Sequence, residues 1–329
     1  MSAHHFIETP LNTIGAVSII RIVSSELDSV LQELRIPALV MGQIRLVSFL
    51  DLDDALIARF DEDSLLIMPH GGIGITRAIS SALTSKGIGH REVTDPLQQF
   101  PEASDVHEAR MLGTLARAAS PIAMDVLLDQ PERWRTVQDR EIDQESWINP
   151  ALDRLVTPPI VVAVGRANIG KSSLVNALAG DSVAMVSDYA GTTRDHLGVQ
   201  LNLAGLVVRW VDTPGIDESV KLGDELELMK PIFQSADLVV HAVDLADSGS
   251  QASPTLDPRL LDMIGKLPIL RIGMRCDLAR TGTHPDQSIA DLACSSKTRA
   301  GIREVARSIR ERLVPTEQLT SASPWRFWG

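Results

Sequence analysis

The sequence predicts an α/β fold divided between two domains, because its 329 residues exceed the roughly 100–200 residues of one domain. Residues 160–164, IVVAV, form an apolar strand that leads into a glycine-rich loop and then a helix. The first hundred residues alternate short strand and helix signals, which is typical of a smaller α+β domain. Aromatic residues make up only 4% of the chain, so aliphatic side chains must form the core, as suits helices packed on parallel sheets.

The charge balance disfavours a general attraction to nucleic acid or membranes. The chain has 31 Lys and Arg against 43 Asp and Glu, a net charge of -12, although a local basic patch stays open. Its two cysteines, Cys276 and Cys294, fit a reducing compartment better than a disulfide framework. No signal peptide and no apolar run of about 18 residues is visible, so we expect a cytoplasmic protein without a membrane partner.

Residues 1–100 are predicted to form the small α+β domain, with a ferredoxin-like β-α-β-β-α-β connectivity. The β-branched run GAVSIIRIV predicts the first strand, and apolar residues at helical spacing predict the helix after it. The expected strands are 15–23, 43–50, 54–60, 64–69 and 89–93, one more than the four of that connectivity, and the expected helices are 25–34 and 75–87.

A short helical connector is predicted over residues 101–157, where apolar positions fall on helical stripes. A Thr-Pro-Pro run ends it, and strand–helix alternation follows over residues 158–315. Residues 316–329 are expected to be an irregular tail. Its aromatic end consists of Trp325, Phe327 and Trp328, and it either docks a partner or folds back onto the domain at residues 158–315.

The glycine-rich loop carries the strongest functional motif. GRANIGKS, residues 165–172, matches G-x-x-x-x-G-K-[ST] between a strand and a helix. Such glycines let backbone N–H groups wrap a polyphosphate, while the helix N-terminus adds partial positive charge. Lys171 is predicted to reach the β- and γ-phosphates and Ser172 to ligate Mg²⁺; a glycine-rich turn without a ligand is the alternative. The predicted nucleotide-binding residues here are Gly165, Asn168, Ile169, Gly170, Lys171, Ser172 and Ser173.

Four further segments follow this loop in the order expected of a GTPase. They are GTTRD at 191–195, DTPG at 212–215, MRCD at 274–277 and CSSK at 294–297. Asp212, at a strand end, can hold Mg²⁺ through water, and the Gly215 N–H can sense a γ-phosphate. Each segment alone is more often a plain loop. Together they predict an α/β P-loop NTPase of the Ras- or Era-like type, a G domain, at residues 158–315.

The run GRANIGKSSLVNALAG…AGTTRD…DTPG resembles the TrmE–Era–EngA family of translation-linked GTPases, and within it the MnmE/TrmE-like, tRNA-modifying branch. GAVSIIRIVS and the strand–His-Gly-Gly–helix at 64–87 are similar to the folate-binding domain of that branch. The resemblance implies a folate derivative as a further ligand, with Arg21 and His70 as candidate contacts. A surface cation and a turn histidine are the alternative interpretations of these two residues.

The base-recognition segment departs from the family pattern Asn-Lys-x-Asp, because Met274 and Arg275 replace the Asn and the Lys. Asp277 is kept, and its carboxylate can accept from the N1–H and amino group of guanine, whereas adenine offers no N1–H. Arg275 can lie across the base plane as Lys does. We expect guanine preference with about tenfold weaker binding, unless the pocket is degenerate. The remaining predicted nucleotide contacts are Ser295, Ser296 and Lys297.

The second switch offers no glutamine to orient water, since Ile216 stands where it would lie. The resemblance implies a K⁺ ion, held by Asn168 and the first switch, in place of an arginine finger. It also implies a water-orienting glutamate, for which Asp224, Glu225 and Glu227 are candidates; the spacing favours Glu227, and a solvated acidic helix face is the alternative. The predicted catalytic residues are Lys171, Asn168, Thr193, Gly215 and Glu227. The predicted metal ligands are Ser172, Thr193 and Asp212 for Mg²⁺ and Asn168 for K⁺.

The predicted function is slow, potassium-assisted GTP hydrolysis that serves as a conformational switch. The family ends in a helix with a reactive Cys, and only the tail follows Pro315, so wobble-uridine modification of tRNA is an alternative. A non-hydrolysing guanine-nucleotide-binding scaffold is another, and a small-molecule P-loop kinase is disfavoured because no Arg-rich lid is found. The predicted partners are GTP and GDP, a second copy through the G domains or N-terminal domains, and a tRNA- or ribosome-related partner.

Overall fold

The structure is a computed structural model that describes residues 3–9, 15–92, 95–137, 147–181, 198–213, 229–246, 256–279 and 289–328. The chain forms two compact units, Met1–Arg117 and Ala118–Gly329. The helical region expected over 101–157 is therefore divided between the units. Among the described helices, none has the length and apolar character needed to cross a membrane.

The described part of the first unit contains a six-stranded sheet and four helices. Its strands are β1 (His4–Ile7), β2 (Ile20–Val23), β3 (Ile44–Phe49), β4 (Asp53–Arg59), β5 (Ser64–Met68) and β6 (Gly89–His90). Its helices are α1 (Leu27–Glu33), α2 (Ile73–Ser85), α3 (Pro96–Gln99) and α4 (Val106–Leu115). The strand order is β3-β4-β5-β2-β1-β6, and neighbours are antiparallel except β1 and β6.

Alternating apolar residues build the core of this unit. Ile20 and Ile22 in β2 and Ile67 in β5 are fully buried, as the period of two along a strand predicts. Ile79 and Leu83, one helical turn apart in α2, belong to the same buried cluster. The sheet and α2 therefore pack through the same apolar positions that predicted the strands and the helix.

Strand β1 is an element that the sequence analysis did not predict. It lies between β2 and β6, so the sheet is larger than the expected β-α-β-β-α-β arrangement. His5 of this strand is buried, and its ring nitrogens lie 3.0 Å from the Ile88 carbonyl oxygen and 2.8 Å from Ser80 Oγ. The regular part of the expected strand 15–23 is shortened to β2, while the other expected strands and helices of this unit are confirmed with shifted ends.

The described part of the second unit contains another six-stranded sheet. Its strands are β7 (Ile160–Val164), β8 (Val199–Leu203), β9 (Leu206–Asp212), β10 (Leu238–Asp244), β11 (Ile269–Met274) and β12 (Leu292–Ala293). Its helices are α5 (Ala123–Leu128), α6 (Gln130–Val137), α7 (Pro150–Val156), α8 (Lys171–Asp181), α9 (Pro258–Ile264), α10 (Ile302–Leu313) and α11 (Thr316–Leu319). The strand order is β12-β11-β10-β7-β9-β8.

All neighbouring strands of this sheet are parallel except the β8–β9 hairpin, which confirms the predicted α/β fold. Strand β7 is central, and Val161, Val162 and Val164 are fully buried, as expected for a strand covered on both faces. The connections that follow the parallel strands leave from one edge of the sheet. Ligands of open α/β sheets bind at this carboxyl edge, where neighbouring connections diverge.

The tail folds back onto helices α6 and α7, which lie in the region expected as the connector rather than in the expected G domain. Trp325 is buried, its backbone N–H donates to Gln130 Oε1 at 2.7 Å, and its indole N–H donates to Asp153 Oδ1 at 2.9 Å. The indole N–H of Trp134 donates to the Trp325 carbonyl oxygen at 3.0 Å. Burial raises the pKa of Asp153, opposed by the hydrogen bond from Trp325. The expected irregular tail is thus an ordered part of the second unit.

Replacing Trp325 by alanine is expected to lower the free energy of unfolding of the second unit by about 3–5 kcal/mol, because a buried indole and its hydrogen bonds are lost. Chemical denaturation followed by circular dichroism measures this change. Leu128→Ala is the control, since Leu128 is large, apolar and exposed in α5. Equal stability of the two variants would contradict a structural role for the tail.

Candidate functional site

The loop between β7 and α8 has a backbone that few residue types can adopt. Gly165 has a φ of 153°, and a Cβ there would lie 2.7 Å from the carbonyl oxygen of Ala242 in β10. Gly170 has a φ of 104°, and Asn168 is left-handed with a φ of 60°, which asparagine tolerates better than most residues. Ile169 is buried and anchors the loop. The residues of the motif therefore match the conformations that the loop requires.

Lys171 begins α8, and its side chain turns back into the loop. The side chain is buried, and Nζ donates to the carbonyl oxygens of Gly165 and Arg166, both at 3.1 Å. Burial lowers the pKa of the Lys171 ammonium, and the charge of Asp212 acts in the opposite direction. An anionic group that entered the loop would meet a poorly screened cation there. The site is thus suited to a phosphate.

The two residues predicted to hold Mg²⁺ from the described part of the chain lie together. The Ser172 hydroxyl donates to Asp212 Oδ2 at 2.8 Å. Thr213 is buried, and its hydroxyl donates to the Ala163 carbonyl oxygen at 2.7 Å, which fixes the end of β9 against β7. A hydroxyl and a carboxylate are hard oxygen ligands of the kind that Mg²⁺ prefers. This pair fits the predicted ion.

The segment Met274–Asp277 turns at the end of β11. Met274 is buried; its methyl carbon lies 3.6 Å from the position that a Cβ on Gly170 would occupy, and its sulfur lies 3.7 Å from Cys294 Sγ. Asp277 is exposed in a 3₁₀ turn formed by Cys276–Leu278. The segment therefore reaches the phosphate-binding loop through apolar contact, where the family pattern has a polar Asn.

Arg275 forms an ion pair that the sequence analysis did not predict. Its Nε lies 3.0 Å from Asp244 Oδ1, and its Nη2 contacts the other carboxylate oxygen. Asp244 ends β10 after the buried run LVVHAV, as Asp212 ends β9. That position, an acid at the carboxyl edge of a parallel strand, is the signal by which the sequence could have indicated it.

The predicted residues after β12 complete the same edge. Ser295 is buried, and its hydroxyl oxygen accepts from the Thr298 backbone N–H at 3.2 Å. Ser296, Lys297 and Ser173 line an open cavity of about 400 Å³ between this loop and the start of α8. The structure therefore brings Ser173 together with Ser296 and Lys297, and the Cys276 backbone N–H, which donates to the Cys294 carbonyl oxygen at 3.1 Å, joins the segment that carries Asp277 to this loop.

Three predicted site residues lie outside the described residues: Thr193, Gly215 and Glu227. The same holds for the other glutamate-region candidates, Asp224 and Glu225, and for Ile216. Their roles in catalysis and in Mg²⁺ binding stay predictions.

The two folate candidates of the first unit are engaged with other side chains. Arg21 is buried, its Nε donates to Glu8 Oε1 at 2.5 Å, and its guanidinium lies 4.7 Å from the ring centre of Phe60. His70 is exposed, and its Nδ1 lies 2.8 Å from Asp53 Oδ1. Arg21 is therefore not a surface cation. Folate binding stays a prediction from the resemblance.

Comparison with known proteins gives matches over both units. Residues 160–272 match the family described as 50S ribosome-binding GTPase. The tRNA modification GTPase MnmE of Acidiphilium cryptum is 39% identical over 163 residues, which cover 50% of this chain and 35% of that protein. MnmE of Desulfotalea psychrophila is 27% identical over 374 aligned residues, which cover 92% of this chain and 79% of that protein.

The solved G domain of FeoB from Methanococcus jannaschii is 23% identical, and the alignment covers 47% of this chain and 97% of that domain with a TM-score of 0.36. The first matched MnmE relatives are longer than this chain, which spans 35% of one and 46% of another. The loop geometry and the family match agree that the second unit contains a GTPase domain, and the chain is similar to MnmE along most of its sequence.

Proposed function

We propose that this chain binds GTP at the loop between β7 and α8 and hydrolyses it as a conformational switch. The observation that carries the proposal is the buried ammonium of Lys171, held only 3.1 Å from two loop carbonyls and beside the Ser172–Asp212 pair. A cation in this position attracts the β- and γ-phosphates, and the N-terminus of α8 adds its partial charge. Asp277 selects guanine through its carboxylate.

Different residues of the chain have different roles in the proposed hydrolysis. Ser172 and Asp212 would hold Mg²⁺, which when bound neutralises charge on the phosphate oxygens. Lys171 orients the terminal phosphates, and the backbone N–H groups of the loop fix the rest of the polyphosphate. Thr193, Gly215 and Glu227 are proposed to close the site, sense the γ-phosphate and orient water, as the resemblance implies.

A K⁺ ion is proposed as the additional positive charge, with Asn168 as its side-chain ligand. Asn168 is exposed at the tip of the loop in a left-handed conformation, so its amide oxygen is available to an ion beside the phosphates. A neutral oxygen holds a monovalent cation without repelling the phosphates. Closure of the first switch over this ion is also proposed to form the surface on which a second G domain docks.

A tRNA-linked role is the second proposal, because the matched relatives are named tRNA modification GTPases. A cytoplasmic location is proposed with it, supported by two buried, unpaired cysteines. With a net charge of -12, such a chain needs a local basic surface to hold tRNA.

Lys171→Ala is expected to weaken binding of GTP and GDP by about 100-fold or more, because the phosphates lose their main cation. Isothermal titration calorimetry in the presence of Mg²⁺ measures both affinities. The control is Lys266→Ala, an exposed lysine in the turn after α9, which should bind like the wild type. Similar affinities of the two variants would contradict the proposed site.

Asn168→Ala is expected to lose stimulation of GTP hydrolysis by potassium while keeping its affinity for GDP. For the wild type, we expect turnover roughly tenfold or more faster in KCl than in NaCl, since the ion stabilises charge that develops in the transition state. Phosphate release in the two salts measures this ratio, with ATP as the substrate control. Equal wild-type rates in both salts would exclude the K⁺ proposal and leave GTP binding unaffected.

The tRNA-linked role predicts that the GTP-bound protein retains bulk tRNA on a filter more strongly than the GDP-bound protein. Retention should fall steeply as salt rises, because phosphate contacts release counterions. Bovine serum albumin, also an acidic protein, gives the background. Retention at background level in both nucleotide states would contradict this role.

A further inference from the structure

The base-recognition segment of this chain is fixed to β10 by contacts that begin in the backbone. Asp244 and Met274 are register partners at the ends of the parallel strands β10 and β11. The Leu245 backbone N–H donates to the Met274 carbonyl oxygen at 3.1 Å. Whatever holds the end of β10 therefore also determines where the segment begins its turn.

Arg275 takes the left-handed conformation at this turn, with φ 57° and ψ 40°. This region is unfavourable for a residue with a Cβ and persists only where surrounding contacts stabilise it. Asp244 provides such contacts, because both of its carboxylate oxygens meet the Arg275 guanidinium. One of these oxygens also accepts from the Ala246 backbone N–H at 2.9 Å. The Asp244 carboxylate is thus also fixed by a backbone group of the segment that follows β10.

The pair differs from an ordinary surface ion pair, which contributes little to a protein. It is two-pronged, the Asp244 side chain is only 16% exposed, and the Arg275 side chain is 43% exposed. A two-pronged pair fixes the plane of a guanidinium, whereas a lysine ammonium would be held as a point charge. Arg275 therefore has a defined guanidinium plane, and part of its side chain stays exposed.

We infer that Asp244 is a positioning residue for guanine recognition, an inference that rests on the proposed GTP-binding function. Asp244 holds the Arg275 guanidinium plane for stacking on the base and stabilises the left-handed turn that leads into the 3₁₀ turn carrying Asp277. The family pattern has an Asn that bonds polar groups at this place, and Met274 cannot do so. The ion pair replaces that polar brace.

Asp244→Asn is expected to weaken GDP binding roughly five- to tenfold, while weak ADP binding through the phosphates stays unchanged. Calorimetric titration of the full chain with each nucleotide and Mg²⁺ measures the ratio of the two affinities. The matched control is Asp291→Asn. Asp291 pairs with Arg271 of the same strand β11 at 3.2 Å, and its side chain is 27% exposed, but it lies before β12 rather than at the carboxyl edge.

A double-mutant cycle separates positioning from general destabilisation. In an Arg275→Ala background, Asp244→Asn should cause no further loss of GDP affinity, because the group that it positions is gone. Asp244→Glu keeps the carboxylate and should recover part of the GDP affinity. This variant also provides the test if Asp244→Asn does not fold. Thermal unfolding of each variant identifies an effect on stability alone.

The outcomes distinguish this inference from the function on which it rests. GDP affinity of Asp244→Asn equal to that of Asp291→Asn would overturn the inference alone, as would an equal loss in the Arg275→Ala background. If wild-type protein binds neither GDP nor GTP, the proposed function and the inference fall together. A selective loss of GDP over ADP that depends on Arg275 is the result that supports it.

Discussion

The buried ammonium of Lys171 imposes the constraint to which the rest of the second unit conforms. A cation withdrawn from water must be surrounded by oxygen atoms, and here the carbonyl groups of Gly165 and Arg166 supply them. The loop can turn those carbonyls inward only because Gly165 has no side chain where β10 passes at Ala242. The close approach of β7 and β10 and the geometry of the loop therefore depend on the same glycine. A bound phosphate would add an anionic partner for the Lys171 ammonium.

The same edge of the sheet shows how separate loops become coupled. Ser172 of α8 bonds Asp212 at the end of β9, and the Cys276 backbone N–H donates to the Cys294 carbonyl oxygen at 3.1 Å. Each bond joins two connections that come from different parts of the sequence but leave from one edge. A ligand that contacts one connection therefore also affects the neighbouring connection. A nucleotide-dependent switch requires such coupling.

Local sequence patterns predict the elements that neighbouring residues determine, and they miss the contacts that depend on residues far along the chain. The phosphate-binding loop is predicted residue by residue, because its glycines, its lysine and its flanking strand and helix are contiguous. Strand β1 is four residues long and depends on His5 contacting Ile88, far along the chain. The tail is ordered by Trp325 bonding Gln130, and Arg275 is held by Asp244. Local patterns cannot predict such pairs, because each residue taken alone has the sequence context of an ordinary surface or core residue.

The departure at Met274 shows why a motif position cannot be interpreted in isolation. Met274 is buried against Gly170 and the Cys294 thiol, so its side chain makes apolar and sulfur contacts where the family's Asn would make polar ones. The replacement at Met274 and the Arg275–Asp244 pair are therefore best understood together, as one arrangement that braces the segment by packing on one side and by charge on the other.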